Sequence, residues 1–271
     1  IVLQRLRGDP AAAAERAWAA GAGGLILVLD ERVDLRVRSS YLPSLEATTI
    51  PVVQISNDTF VELIKASGHQ LVELSTDVPV LRLGFKAYLS VPLRVEPVQQ
   101  AANVLALLPG SDEQLRDEML IVGAHYDHVG SLPDGTIYPG ANDNASGVGV
   151  LLELARLCQT EGWRPRRSIL FAGWGAEEMG LLGSKHYVGH PWTPLTQTVA
   201  MIQLDMVGQG RGYYLNMHGN PETAGELLAA LSLAAEHTDA RASTMGPNAA
   251  SDQAPFQDAG VPAALLIWRD G

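Results

Sequence analysis

MLIVGAHYDHVG, residues 119–130, is an apolar run that stops at a histidine and opens into a glycine-bounded loop. The run is of strand length and apolar throughout, the pattern of a strand buried on both faces. His125 falls where that strand ends, which is where an open α/β sheet places its chemistry. Side chains alternate along an extended chain, so His125 and Asp127 share one face. The same arrangement recurs further on. RSILFAGW (167–174) runs into GAEEMG with Glu177 and Glu178, and TVAMIQLD (198–205) ends on Asp205. Between them, PGANDNASG (139–147) carries Asp143 in a glycine-rich loop just before a helical pattern at 146–160.

Around these segments, apolar runs alternate with helical patterns from residue 103 onward. NVLALLP (103–109) precedes the first run. A helical segment near 180–188, a strand at 213–218, a helix at 222–236 and a strand at 263–268 follow. Such alternation predicts a three-layer α/β/α sandwich around a mixed, mostly parallel sheet. Helix 146–160 is expected to present Val148, Leu151, Leu152, Ala155 and Leu157 as its apolar stripe.

Imidazole and carboxylate are the ligand types that hold zinc. Taken singly, each residue has a plainer reading. A lone His-x-Asp is a common surface pattern, Asp143 could cap the helix, and Asp205 could cap a loop. Ser146 is an alternative cap that leaves Asp143 free for a metal. Two adjacent glutamates beyond a buried strand are costly unless each has a partner. Their side chains diverge, so one can bind a metal while the other faces water. Three strand ends converging on His, Glu and Asp are hard to explain as caps.

The chain has 271 residues, 46% apolar and 18% charged, with a formal net charge of −11. This length and composition fit one large domain, or a large and a small one, with a substantial core. The acidic balance, without clustered Lys and Arg, excludes a nucleic-acid surface. Arg164–Arg167 reads as a solvated turn. No apolar run approaches the roughly 20 residues of a membrane span. The single Cys158 lies on a helical period and reads as a small core residue.

Residues 1–78 read as a small α/β unit without a catalytic constellation, and 79–271 as the larger domain. The first unit has a helix at 10–20, strands at 25–30, 50–56 and 70–75, and a helix capped by Ser56 or Asn57 running to about Ala66. Gly21, Gly23 and Gly24 precede the 25–30 strand, whereas a dinucleotide-binding fingerprint needs its glycines after one. A β-rich passage spans 80–108.

GAHYDH, PGANDNASG, GWGAEEMGLLGS and QLDMVG, in this order and spacing, resemble the zinc metallopeptidases of family 28. That group includes bacterial leucyl aminopeptidases, aminopeptidase Y and glutamate carboxypeptidase II. The resemblance covers about 101–271. Residues 20–78, through GLILV and IPVVQIS, are similar to part of a protease-associated domain, expected here over 1–78. The resemblance implies a dinuclear zinc exopeptidase of the aminopeptidase type, acting on peptides with a free N-terminus, and an extracytoplasmic or secreted location. It implies that His125 and Asp205 hold one zinc, Asp143 bridges both, and Glu178 holds the second. Glu177 would be the general base on a shared water and Asp127 would orient His125. Two zinc ions about 3.5–4 Å apart lower the pKa of such a water, and a nearby carboxylate can take its proton.

The sequence departs from that pattern at its end. Such enzymes carry a final histidine ligand near a YHT-type segment, and no such segment precedes Gly271. His69 belongs to the first block, and His186, His190, His218 and His237 match no ligand position. His128 is expected at the rim of the site. The chain, which also opens without a start methionine, is expected to be a fragment that holds one zinc tightly. SDQAPF (251–256) stands where relatives often carry SDH, and Ser251 and Asp252 are expected to line the substrate pocket. Two alternatives stay open. A carboxypeptidase or dipeptidase would need a cation such as Arg211 or Arg269 for the substrate carboxylate. A non-catalytic binding protein on this scaffold would be expected to have lost ligands.

Overall fold

The computed structural model describes residues 1–5, 10–28, 50–68, 88, 100–131, 135–210, 214–238, 240–247 and 251–268. The strand expected at 70–75, most of the β-rich passage before residue 100, Arg211 and Arg269 lie outside them. The chain forms two compact units, Ile1–Val98 with Ser131–Thr136, and Gln99–Gly130 with Ile137–Gly271. The division expected from the sequence is at 78/79.

In the first unit, β1 (Val2–Arg5), β2 (Leu25–Val28) and β3 (Val52–Ile55) form a parallel sheet in that order. Helix α1 (Pro10–Ala19) links β1 to β2, and Ala13, Ala14 and Ala17 pack on Leu25 and Leu27. Helix α2 (Asn57–Ala66) starts where expected. Ser56 caps it by accepting the Thr59 N–H at 3.1 Å, and it buries Phe60 and Ile64 against Val28.

The second unit is built on a seven-stranded sheet. Its strands are β4 (Val104–Leu108), β5 (Met119–His125), β6 (Ser168–Trp174), β7 (Thr198–Leu204), β8 (Tyr214–Gly219), β9 (Arg241–Met245) and β10 (Ala263–Trp268). The spatial order is β4-β6-β5-β7-β10-β8-β9. Among the described residues, only the β4/β6 and β10/β8 pairings are antiparallel, so the sheet is mixed and mostly parallel.

Helices cover both faces. On one, Val122, Ala124, Ile169, Phe171, Leu204 and Leu266 pack against α3 (Gly147–Thr160) and α5 (Pro221–Glu236) through Leu151, Cys158 and Leu228. On the other, Met119, Ile121, Leu170, Ala172, Trp174, Met201 and Ala263 meet α4 (Leu182–Gly189) and α6 (Gln253–Asp258) through Tyr187 and Phe256. Neighbouring residues of β5 and β6 serve opposite layers, as the two-residue strand period requires. Burying both faces is what makes these strands continuously apolar.

The stripe of α3 differs from the expected one. Leu151 and Cys158 are buried and Val148 and Ala155 are packed against the core, but Leu152 is 64% exposed and Leu157 39%. Residues 148, 151, 155 and 158 follow the helical period, whereas 152 is turned about 100° from 151. Strand β9 and helix α6 were not anticipated. Among the described residues no helix is long and apolar enough to cross a membrane.

Candidate metal centre

Adjacent parallel strands β6, β5 and β7 all stop at the same edge of the sheet. His125 is the last residue of β5 and lies in register with Trp174, the last of β6. Asp205 immediately follows β7. The parallel arrangement therefore brings the Glu177–Glu178 loop and Asp205 to either side of His125. Close packing beneath that edge requires Gly123. A Cβ there would lie 2.2 Å from the Trp174 Nε1 and 3.0 Å from the Gln203 Oε1.

Asp143 arrives from above the edge, in the wide helical turn 141–146 that leads into α3. Asn144 anchors that turn: its amide donates to the Leu204 carbonyl at 2.9 Å and accepts the Gly147 N–H at 3.0 Å. Ser146 does not cap α3 with its side chain. Its hydroxyl donates to the Asn142 carbonyl and accepts the Val207 N–H, tying the Asp143 turn to the loop after Asp205.

His125 Nε2 lies 3.2 Å from Asp143 Oδ1 and 3.4 Å from Asp205 Oδ1. A second group, His128, Asp143 and Glu178, also converges, so Asp143 belongs to both. His128 Nδ1 is 2.8 Å from Glu178 Oε1, and both side chains are 22% exposed. Asp127 supports the site through both its backbone and its side chain. His125 Nδ1 is 3.1 Å from the Asp127 backbone carbonyl and 3.7 Å from its carboxylate. The carboxylate also accepts the N–H groups of Glu177 at 2.9 Å and Glu178 at 3.1 Å.

Ser251 and Asp252, expected at the substrate pocket, are buried at 1% and 0% exposure. They stand behind Asp205. The Ser251 hydroxyl donates to Asp205 Oδ2 at 2.6 Å, and Gln203 donates to Asp252 Oδ2 at 3.2 Å. Ser184 donates to Asp252 Oδ1 at 2.5 Å, and Trp174 donates to Gln203 at 3.2 Å. Sequence reasoning missed Ser184, Gln203 and Trp174 in this network. A signal for Gln203 was available, as a polar residue inside the apolar run that ends at Asp205.

The acids are crowded. Burial pushes the Glu177 carboxyl up to about 8, partly offset by His125 and reinforced by Asp252, Asp205 and Glu178. Burial pushes Asp252 up to about 7 against the Ser184 hydrogen bond, and burial together with Asp143 raises Glu178. Asp127 is held below its ordinary value: burial would raise it, but His125 and the two backbone N–H groups outweigh that. For His125, burial would lower the value, yet Asp127, Asp143 and Asp205 hold it far above normal. The His125 imidazole offsets the charge of this cluster, and His128 beside Glu178 adds to it. A divalent cation fits the same place. Asp205 Oδ1 is buried without a hydrogen-bond donor, beside an imidazole nitrogen and a second carboxylate.

Known proteins share this arrangement of chain. Residues 103–270 match the model of Peptidase family M28. Aminopeptidase YwaD from Bacillus subtilis (strain 168) is 36% identical over 159 residues, which is 56% of this chain and 32% of that protein. Leupeptin-inactivating enzyme 1 from Streptomyces exfoliatus is 34% identical over 169 residues, 61% of this chain and 35% of that one. The chain therefore spans about a third of the length of these curated relatives. Among solved structures, an aminopeptidase from Aneurinibacillus sp. strain AM-1 superposes with a TM-score of 0.67 at 25% identity, covering 98% of this chain and 59% of that one. The family match takes in β4 through β10, and with them the whole strand edge that gathers His125, Asp143, Glu177, Glu178 and Asp205. The chain belongs to peptidase family M28.

Proposed function

We propose that this chain carries the catalytic centre of a zinc aminopeptidase, which removes the N-terminal residue of peptides with a free amino group. The observation that carries the reading is the sharing of Asp143 between two converging ligand groups at one sheet edge. A carboxylate common to both is suited to bridging two ions. The names of the similar proteins add support, several being aminopeptidases.

In this reading His125, Asp143 and Asp205 hold one zinc, and Asp143 with Glu178 contributes to the second. When bound, the zinc pair supplies Lewis acidity that lowers the pKa of a water and polarises the scissile carbonyl. Glu177 takes the proton from the attacking water and passes it to the leaving amine. Burial raises the Glu177 carboxyl in the metal-free chain, so cations held beside it would be what keeps it ionised and ready to accept the proton. Asp127 fixes both glutamates by grasping their backbone N–H groups, so that Glu177 and Glu178 point apart into their separate tasks. Residues 1–78 form part of a protease-associated domain in the same proposal.

The test compares leucine p-nitroanilide with its N-acetylated form, before and after zinc removal by chelation. Cleavage of the free amine alone, lost on chelation and restored by zinc, is the expected result. Equal rates on both substrates would refute an aminopeptidase. Cleavage of neither p-nitroanilide, with cleavage of an N-acetylated dipeptide that keeps a free carboxylate, would identify a carboxypeptidase.

A further inference from the structure

We propose that His186 and His190, at the C-terminal end of α4, form a two-imidazole surface site for a divalent ion of tetragonal geometry, copper(II) foremost. Neither residue belongs to the ligand groups at the strand edge. The peptidase reading gives neither a task, and the proposal stands independently of that reading.

KHYVGHPW (185–192) sets two histidines four residues apart. Residues at that spacing share one helix face, with Cβ atoms about 5–6 Å apart. Helix α4 ends at Gly189, and His190 takes φ −139° and ψ 61°. The following Pro191 disfavours helical backbone there. His190 still stays on the last turn, because its backbone N–H donates to the His186 carbonyl at 2.9 Å. The two rings are stacked, with centroids 4.7 Å apart and planes inclined by 23°. Both residues are exposed, so an ion can reach them from solvent.

The His190 ring is also oriented. Its Nδ1 lies 3.3 Å from the His186 carbonyl, which can only accept, so Nδ1 carries the proton and Nε2 the lone pair. Histidines bound to metals are held in this way, with the other ring N–H on a backbone carbonyl. The outer torsion of an exposed imidazole is soft. Turning about it brings two ring nitrogens to the roughly 2.8 Å that cis ligands at about 2.0 Å need. Two imidazoles are too few for a closed zinc site, whereas imidazole sites take copper(II) most tightly and water can fill its remaining positions. The C-terminus of a helix carries partial negative charge, which favours a cation there. The adjacent Lys185 does not oppose it, since its Nζ turns back to the Gly180 carbonyl at 2.9 Å, before the start of α4.

The test titrates copper(II)–iminodiacetate, a chelate that leaves room for two imidazoles, into the full-length protein saturated with zinc. His186→Ala and His190→Ala are titrated alongside, with circular dichroism and zinc content confirming that each keeps its fold and its metal centre. Pulsed electron paramagnetic resonance should count two imidazole nitrogens on the copper bound to the wild type. Each variant should bind the chelate about 100-fold more weakly, because the second attachment is lost. Zinc content should be the same in all three proteins. Wild-type affinity in either variant would overturn the site, and so would a single imidazole on the wild-type copper. Copper uptake that releases zinc equally from all three proteins would put the ion at the strand edge and overturn it as well.

Discussion

The carboxylate of Asp127 grips the loop of Glu177: its Oδ1 accepts the Glu177 N–H at 2.9 Å, and its Oδ2 accepts that of Glu178 at 3.1 Å. This links the end of β5 to the loop after β6 and sets where both glutamates stand. The His125 ring meets the Asp127 backbone carbonyl at 3.1 Å, with the carboxylate 3.7 Å from the same nitrogen. Asp127→Asn can accept only one of the two N–H groups. It should lower kcat by about 10- to 100-fold, the usual effect of disturbing a group that orients ligands. The zinc held by His125, Asp143 and Asp205 should stay. Steady-state kinetics beside metal analysis check this, and wild-type turnover would refute it.

Ser251 acts on Asp205 from behind. Its hydroxyl occupies Oδ2 and leaves Oδ1 facing the imidazole. Ser251→Ala should weaken the zinc bound there by about 10-fold. It should also destabilise the protein by about 1–3 kcal/mol, because a buried carboxylate oxygen and the Gln203 amide lose a partner. Zinc competition with a chelator and denaturant unfolding measure the two effects. A fully stable variant with unchanged zinc affinity would contradict the role.

Gly123→Ala would drive a methyl group to 2.2 Å from the Trp174 Nε1, in a region where Trp174 is fully buried. Overpacking of this kind costs about 1–3 kcal/mol. The melting temperature should fall, and the Trp174 fluorescence should shift as the ring loses its bond to Gln203. An unchanged melting temperature would count against the packing described.

Zinc binding should depend on pH with a definite sign. In the metal-free protein Glu177 keeps its proton to about 8, against an ordinary value of 4.5, and Asp252 to about 7, against 3.8. His125 likewise stays protonated well above 6.5. Between these limits the folded chain binds more protons than the unfolded chain. Its stability therefore falls as pH rises from about 4 to 8. Asp127, shifted downward, acts only below about 4 and lies outside this window. Zinc displaces protons from its ligands, so its stabilising effect should grow over the same range. Melting temperatures with and without excess zinc, at pH 5.5 and pH 8, should show the larger increment at pH 8. Equal increments would contradict the account.

Much of the sheet was legible because β5, β6 and β7 are buried on both faces and so read as unbroken apolar runs. Their ends then pointed to His125, Glu177, Glu178 and Asp205 without any structure. Strand β9, with the sequence RASTM, is largely exposed, and a polar edge strand leaves no such signal. Helix α6 has only six residues and contains Pro255, too little for a helical period to register. The places of Ser251 and Asp252 were also hidden. A short polar pair looks alike whether it meets a substrate or supports a carboxylate, and only the fold shows that both are buried. Likewise, strand alternation put Asp127 on the face of His125, but it could not reveal that the backbone carbonyl also meets the ring or that the carboxylate accepts the Glu177 and Glu178 N–H groups.

Glu177→Gln, assayed for zinc content and kcat on the same preparation, tests the central claim most directly. The Asp127 anchor involves only the Glu177 backbone, so the substitution leaves the loop in place and removes the proton-accepting carboxylate. The account predicts zinc close to wild type with kcat reduced by roughly 10²–10⁴, the range for losing a general base. Loss of zinc together with activity would make Glu177 a ligand, and an unchanged kcat would exclude it as the base.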